Sequence, residues 1–165
     1  MMKILLVDND PIYLNLLTEV LSLYSHTVIK ANDGESALQF LKGEQVDLII
    51  SDVSMPKMNG MTLHMNIRED DRLRTIPFAW NSSYKELRDL LQVRDPNVDF
   101  NFDKAMPLSN LLYFVSHLDT SKRLRDVRRD MDTLFQPPVN PPGGLADIIN
   151  NENGIPGGNT DLQIG

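Results

Sequence analysis

Short apolar runs alternate with helix-type patterns over the first 118 residues, and this alternation limits the fold more than any other feature. Apolar runs typical of strands cover residues 4–7, 27–31, 46–51, 77–81 and 98–102. Helix-type patterns lie between and after them, including residues 61–68, 84–93 and 109–118. Strands that alternate with helices at this spacing indicate βαβ units and a parallel sheet. Right-handed crossovers then produce a doubly wound, three-layer α/β domain.

The first predicted helix has both a start signal and an apolar face. Asp10 precedes Pro11, as an N-cap residue precedes a proline at the first helical position. We therefore interpret Asp10 as a helix cap rather than a metal ligand. Four apolar residues follow at helical spacing, so they lie on one face of the predicted helix. They are Leu17, Val20, Leu21 and Tyr24.

Polar side chains follow four of the five predicted strands, at the point where each strand ends. They are Asp8, Asn9 and Asp10 after the first strand, Asp52 after the third, Ser82 and Ser83 after the fourth, and Lys104 after the fifth. In doubly wound sheets the reactive site lies beyond the carboxyl ends of the strands. Carboxylates, hydroxyls and an ammonium group that meet there predict a site for a phosphoryl group and Mg²⁺.

The C-terminal third of the chain differs in composition from the rest. Residues 119–135 predict a helical extension, with apolar residues Leu124, Val127, Met131 and Leu134 on one face. This helix either packs back on the domain or forms a homodimer. Its basic residues predict a solvated face, and they are Arg123, Arg125, Arg128 and Arg129. Residues 136–165 have no Lys or Arg but five of the ten Pro and six of the nine Gly, which predicts a flexible tail.

Composition and charge exclude several classes of protein. The chain has no Cys, so it has no disulfide framework and no thiolate chemistry, which fits a cytoplasmic protein. Its apolar runs are too short to span a bilayer, and the N-terminal run predicts a buried strand rather than a signal peptide. A net charge of −7 argues against a broad nucleic-acid-binding surface.

Four segments resemble the receiver domains of bacterial response regulators. The stretch from Asp52 to Gly60, Asp-Val-Ser-Met-Pro-Lys-Met-Asn-Gly, matches the family's sequence after its phosphoacceptor Asp almost position for position. Residues 4–8 match the first strand and first acid, residues 76–78 with Ser82 match the fourth strand and its hydroxyl, and Lys104 matches the family Lys. The resemblance covers about residues 2–118 and implies a flavodoxin-like (βα)5 receiver domain over residues 1–118.

The resemblance also implies a reaction and its residues. Asp52 would accept a phosphoryl group from the phosphohistidine of a histidine kinase or phosphotransfer protein, in a signalling module rather than an enzyme. Lys104 would neutralise charge on the transferred oxygens, and Ser82 would hydrogen-bond the phosphoryl group and move its loop. Mg²⁺ is the implied cofactor. Its implied ligands are Asp8, Asn9, Asp52 and the backbone carbonyl of Ser54.

Four positions depart from the family pattern. Asn9 replaces an acid that ligates the metal, Ala105 replaces a Pro after the Lys, Asn101 replaces an aromatic residue, and Asn81 places an amide in an apolar strand. The bond before Ala105 should be trans, because a cis bond before a residue other than Pro costs roughly 3 kcal/mol. These departures motivate an alternative, a degenerate receiver that binds partners without phosphorylation. A third reading, an Asp-x-Asp phosphatase built on Asp8 and Asp10, is disfavoured by Pro11.

Overall fold

The computed structural model describes residues 1–83, 86, 95–120 and 123–134 of the chain. The chain divides into two compact units, Met1–Asp130 and Met131–Gly165. The predicted helix over residues 84–93, apart from residue 86, and the predicted tail over residues 136–165 lie outside the described residues. Of the second unit, only the end of a helix is described.

Five parallel strands form one sheet in the first unit. In chain order they are β1 (Lys3–Val7), β2 (Thr27–Ala31), β3 (Leu48–Ser51), β4 (Phe78–Ser82) and β5 (Asp99–Asp103). The strand order across the sheet is β2-β1-β3-β4-β5, and every neighbouring pair is parallel. This is the doubly wound α/β arrangement that the alternating pattern predicts. The carboxyl ends of β1, β3, β4 and β5 therefore lie along one edge.

Five helices are described around the sheet. They are α1 (Pro11–Leu23), α2 (Gly34–Leu41), α3 (Gly60–Glu69), α4 (Leu108–Thr120) and α5 (Leu124–Leu134). Side chains cap the first three: Asp10 accepts from the N–H groups of Ile12 and Tyr13, Asp33 from that of Ser36, and Asn59 from that of Thr62. The interpretation of Asp10 as a helix cap is confirmed. No helix in the described part is long and apolar enough to cross a membrane.

Helices cover both faces of the sheet, so two apolar layers form. On one face, α2 and α3 pack on the strands through residues such as Leu41, Leu63 and Ile67, all of which are buried. Trp80 lies in this layer and is fully buried, as predicted for a core residue. On the other face, Phe114 of α4 packs against Phe100 and Phe102 of β5, with ring centroids 4.6 and 5.0 Å apart.

Tyr24, the last residue of the apolar pattern in α1, is the C-cap residue and is 58% exposed, because the helix ends at Leu23. One sequence-based expectation is wrong. Arg128 was expected on a solvated face. Its guanidinium instead donates to the backbone carbonyl of Asp99 and lies 4.5 Å from the centroid of the Phe100 ring. The start of α5 therefore packs on β5 within the first unit, where Val127 is fully buried.

Candidate functional site

Asp52 is held in place at the end of β3 by its own backbone. Its N–H donates to the carbonyl of Val7 at 2.9 Å, which ties it to the end of β1. Its Oδ1 accepts from the N–H of Val53 at 2.6 Å and from the hydroxyl of Ser82 at 2.5 Å. The residue is 8% exposed, so this carboxylate lies in a shallow, mostly buried position at the sheet edge.

Gly60 closes the loop that follows Asp52. Its N–H donates to the carbonyl of Val53 at 2.9 Å, and a Cβ atom at this position would lie 2.1 Å from the backbone oxygen of Asp52. Only glycine fits at such a close approach. The conformation of the loop between Asp52 and Gly60 therefore requires glycine at position 60. Gly60 is also the first residue of α3.

Lys104 joins the two carboxylates of the site. Its Nζ lies 2.7 Å from Asp8 Oδ2 and 2.8 Å from Asp52 Oδ2. Burial opposes the charge on this ammonium group, but hydrogen bonds to Asp52 and Asp8 outweigh burial and raise the pKa of Lys104 above its ordinary value. The bond before Ala105 is trans, as predicted. Lys104 reaches both acids with this trans bond.

The three residues after β1 have three different placements. Asp8 is 4% exposed, and burial raises its pKa although Lys104 and the N–H of Asp10 stabilise the charged form. Asn9 is exposed, and among the described contacts none joins its side chain to Asp8 or Asp52. Asp10 is used as the cap of α1, which leaves the Asp-x-Asp interpretation without its second acid.

Glu86 is a site residue that the sequence reasoning missed. Its Oε2 lies 2.6 Å from the Ser82 hydroxyl oxygen and 2.5 Å from that of Ser83, and its Oε1 accepts from the hydroxyl of Ser54. Hydrogen bonds from Ser54, Ser82 and Ser83 lower the pKa of Glu86 to about 2. The sequence held one signal, since Ser83-Tyr-Lys-Glu86 has the spacing of a helix capping box.

Tyr13 and Asn81 form a hydrogen-bonded pair beside Lys104 that the sequence analysis did not predict. The Asn81 amide donates to the Tyr13 hydroxyl at 2.6 Å, and Lys104 Nζ lies 4.9 Å from the centroid of the Tyr13 ring. Burial is the main cause that raises the pKa of Tyr13. The amide in β4 is therefore satisfied by a partner 68 residues earlier in the chain, a pairing that no local pattern could have indicated.

The donor set fits Mg²⁺, although it is small. No cluster of three or more His, Cys, Asp or Glu residues suited to a metal occurs in the described part of the chain. Two carboxylates do converge on one cation, because Lys104 Nζ contacts both Asp8 and Asp52. Mg²⁺ prefers hard oxygen ligands and commonly uses one or two carboxylates while it keeps several waters. Asp8, Asp52 and a backbone carbonyl would satisfy that preference.

Comparison with known proteins agrees with this fold. The model of the response regulator receiver domain matches residues 4–115, more than half of the chain. The DNA-binding dual master transcriptional regulator RpaA of Synechocystis sp. is 27% identical over 140 residues, which are 84% of this chain and 58% of that protein. The chain thus spans less than two thirds of this relative.

Two solved receiver structures are similar to this one. A signal receiver domain of a histidine kinase from Syntrophus aciditrophicus has a TM-score of 0.66 at 28% identity and covers 74% of this chain and 94% of its own. The response regulator TrrA from Thermotoga maritima, in complex with Mg²⁺ and BeF, has a TM-score of 0.62 at 27% identity and covers 72% and 99%.

The chain belongs to the family of response regulator receiver domains. These domains are signalling modules of two-component systems, and phosphorylation and Mg²⁺ binding are typical of them.

Proposed function

We propose that the domain accepts a phosphoryl group on Asp52 from the phosphohistidine of a histidine kinase or phosphotransfer protein. One observation carries the proposal. The Asp52 carboxylate is held between a cation and a hydroxyl, with Oδ2 at 2.8 Å from Lys104 Nζ and Oδ1 at 2.5 Å from Ser82 Oγ. A structural acid at a strand end needs neither partner, whereas an acyl phosphate at this position would need both.

The proposed reaction is a nucleophilic displacement at phosphorus. A carboxylate oxygen of Asp52 attacks phosphorus, the new P–O bond forms as the P–N bond of the phosphohistidine breaks, and the imidazole leaves and takes up a proton. Lys104 stabilises the charge that develops on the transferred oxygens, because its ammonium group is already placed at the carboxylate. Ser82 supplies a hydroxyl hydrogen bond to the same group.

Mg²⁺, bound by Asp8, Asp52 and the Ser54 carbonyl, would neutralise part of the charge shared by two acids and an incoming phosphoryl group. Asn9 is part of the proposed set only if its side chain turns toward Asp8, since the structure has it exposed. Asp8 is held in place by Lys104 and by the N–H of Asp10.

An exposed apolar surface beside the site supports docking of a protein donor. Ile12 and Leu16 of α1 are 79% and 47% exposed, and Met106, two residues after Lys104, is 47% exposed. Leu16 and Met106 line one cavity with Tyr13 and Lys104. Apolar contacts with this surface would position a partner that carries the phosphohistidine close to Lys104 and Asp52.

A second candidate function is a phosphorylation-independent binding module. The exposed amide of Asn9, which stands where the family has an acid, favours it. The two candidates differ in one property, because only a working receiver holds Mg²⁺ and a phosphoryl mimic together at Asp52.

Trp80 gives a direct test. It is the single Trp, it is fully buried, and it lies in β4 two residues before Ser82. Addition of Mg²⁺ and beryllofluoride together should change its emission in the parent protein, and neither reagent alone should do so. The Asp52→Asn variant should not respond. An unchanged emission in the parent, with no beryllofluoride retained on the protein by mass spectrometry, would favour the binding module instead.

A further inference from the structure

The Glu86 carboxylate lies within hydrogen-bonding distance of three hydroxyl groups from two segments of the chain. Ser54 lies in the loop after β3. Ser82 is the last residue of β4, and Ser83 comes directly after it. Such a set of convergent hydroxyl donors is what the oxygens of a phosphoryl group on Asp52 would require. In the described structure all three hydroxyl oxygens lie within hydrogen-bonding distance of the Glu86 carboxylate.

The Ser82 hydroxyl cannot satisfy both of its neighbours. Its oxygen lies 2.5 Å from Asp52 Oδ1 and 2.6 Å from Glu86 Oε2, but a hydroxyl has only one proton to donate. The two carboxylates therefore compete for one donor. They also repel each other, because two oxygens within hydrogen-bonding distance of the same hydroxyl lie within about 5 Å of one another.

A purely structural role accounts for only part of these contacts. Glu86 accepts from the backbone N–H of Ser83 at 3.2 Å, as the last residue of a capping box does. The hydroxyl contacts to Ser54 and Ser82 are not part of a cap. They join the loop after β3 to the end of β4 at the phosphoacceptor.

We infer that Glu86 is a positioning residue that competes with the phosphoryl group for the Ser82 hydroxyl and so restrains phosphorylation of Asp52. The inference rests on the proposed function. The one proton of Ser82 has two carboxylate acceptors, Asp52 and Glu86. Once Asp52 is phosphorylated, Glu86 still competes with the phosphoryl group for that proton, and the energy of its hydrogen bond is subtracted from the gain. Removal of the Glu86 charge should weaken its hydrogen bond to the Ser82 hydroxyl and lower the repulsion that an anionic donor meets.

Glu86→Gln is the informative variant. Glutamine preserves the capping box, because its amide oxygen still accepts from Ser83, but it removes the charge. The initial rate of labelling by acetyl phosphate with Mg²⁺, followed by intact mass, should rise several-fold over the parent. Glu69→Gln, the same change at an exposed position in the last turn of α3, is the matched control and should label at the parent rate.

A double-mutant comparison separates competition from charge alone. In a Ser82→Ala background the hydroxyl is absent, so Glu86→Gln should raise the rate by a smaller factor than in the parent. An equal factor in both backgrounds would assign the effect to repulsion and overturn the competition. A labelled parent with an unchanged Glu86→Gln rate would overturn the inference while the proposed function stands. No label on any of the proteins would overturn both.

Discussion

Lys104 partly neutralises the two carboxylates of the site, Asp8 and Asp52. Two mostly buried carboxylates this close together repel each other. The ammonium group of Lys104 contacts both, at 2.7 and 2.8 Å, and offsets that repulsion. An arriving Mg²⁺ therefore competes with a cation already in place. The charge supplied by the neighbouring residues sets the outcome of that competition.

Asn9 is the residue where this charge can be changed most simply. Asn9→Asp should tighten Mg²⁺ binding, because Mg²⁺ prefers anionic oxygen. The gross attraction of one added charge is several kcal/mol at an effective dielectric near 20, but desolvation and repulsion from Asp8 and Asp52 reduce the net gain to about 1 kcal/mol, or several-fold in affinity. Metal titration at fixed pH and salt measures it.

The control for this titration is Asn66→Asp, which adds the same charge on the exposed side of α3. It should leave the affinity for Mg²⁺ unchanged. If Asn9→Asp bound Mg²⁺ no more tightly than the parent, the side chain at position 9 would not point into a metal site, and its placement among the metal ligands would be wrong.

At the scale of elements, a buried ionic cluster fastens α3 to β5 at the end of the sheet away from the site. Asp99 is fully buried and contacts His64 Nε2 at 2.8 Å and Arg68 at 2.5 Å. Burial alone would raise the pKa of Asp99, but the hydrogen bonds from His64 and Arg68 outweigh burial and lower it. The carbonyl of Asp99 also accepts from Arg128, so one residue connects α3, β5 and α5.

Asp99→Asn should lower the free energy of unfolding by about 2 to 3 kcal/mol at neutral pH, because a buried ion pair loses its anion. A carboxyl with a depressed pKa stabilises the folded state above its unfolded-state pKa, near 4, and loses this effect as pH falls through the folded-state pKa. The difference between parent and variant should therefore narrow below about pH 4. Urea unfolding at several pH values measures it.

The matched control for this change is Asp71→Asn, whose side chain is 88% exposed and pairs with Arg74 at 3.4 Å. It should change stability little at any of these pH values, as exposed ion pairs contribute little. A difference for Asp99→Asn that stayed constant from pH 7 to pH 3 would contradict the ionic account of the cluster.

At the scale of the whole molecule, the fold followed from the sequence because its signals are periodic and local. Apolar strands, helix caps and turn residues each act over a few positions, so the sheet and the convergence of Asp8, Asp52, Ser82 and Lys104 could be derived from spacing and topology. The contacts of Glu86, the pairing of Asn81 with Tyr13 and the contact of Arg128 with Asp99 could not. Each joins side chains from distant segments, or depends on a rotamer that no periodic pattern encodes.

The same contrast explains the error at Arg128. Four Arg residues on a short amphipathic helix predict a solvated face. The long side chain of Arg128 reaches the backbone carbonyl of Asp99 on the edge strand and the Phe100 ring beside it. The aliphatic part of an Arg side chain can pack on apolar surface while its guanidinium binds a polar group. Composition alone therefore cannot distinguish a solvated Arg from one that packs on the domain.

Intact mass after incubation with acetyl phosphate and Mg²⁺ shows whether Asp52 carries the phosphoryl group. The parent should gain the mass of one phosphoryl group, chelation of Mg²⁺ should prevent the gain, and Asp52→Asn should gain nothing under the same conditions. Equal labelling of Asp52→Asn, or a parent that stays unlabelled beside a receiver domain that labels, would contradict phosphorylation of Asp52.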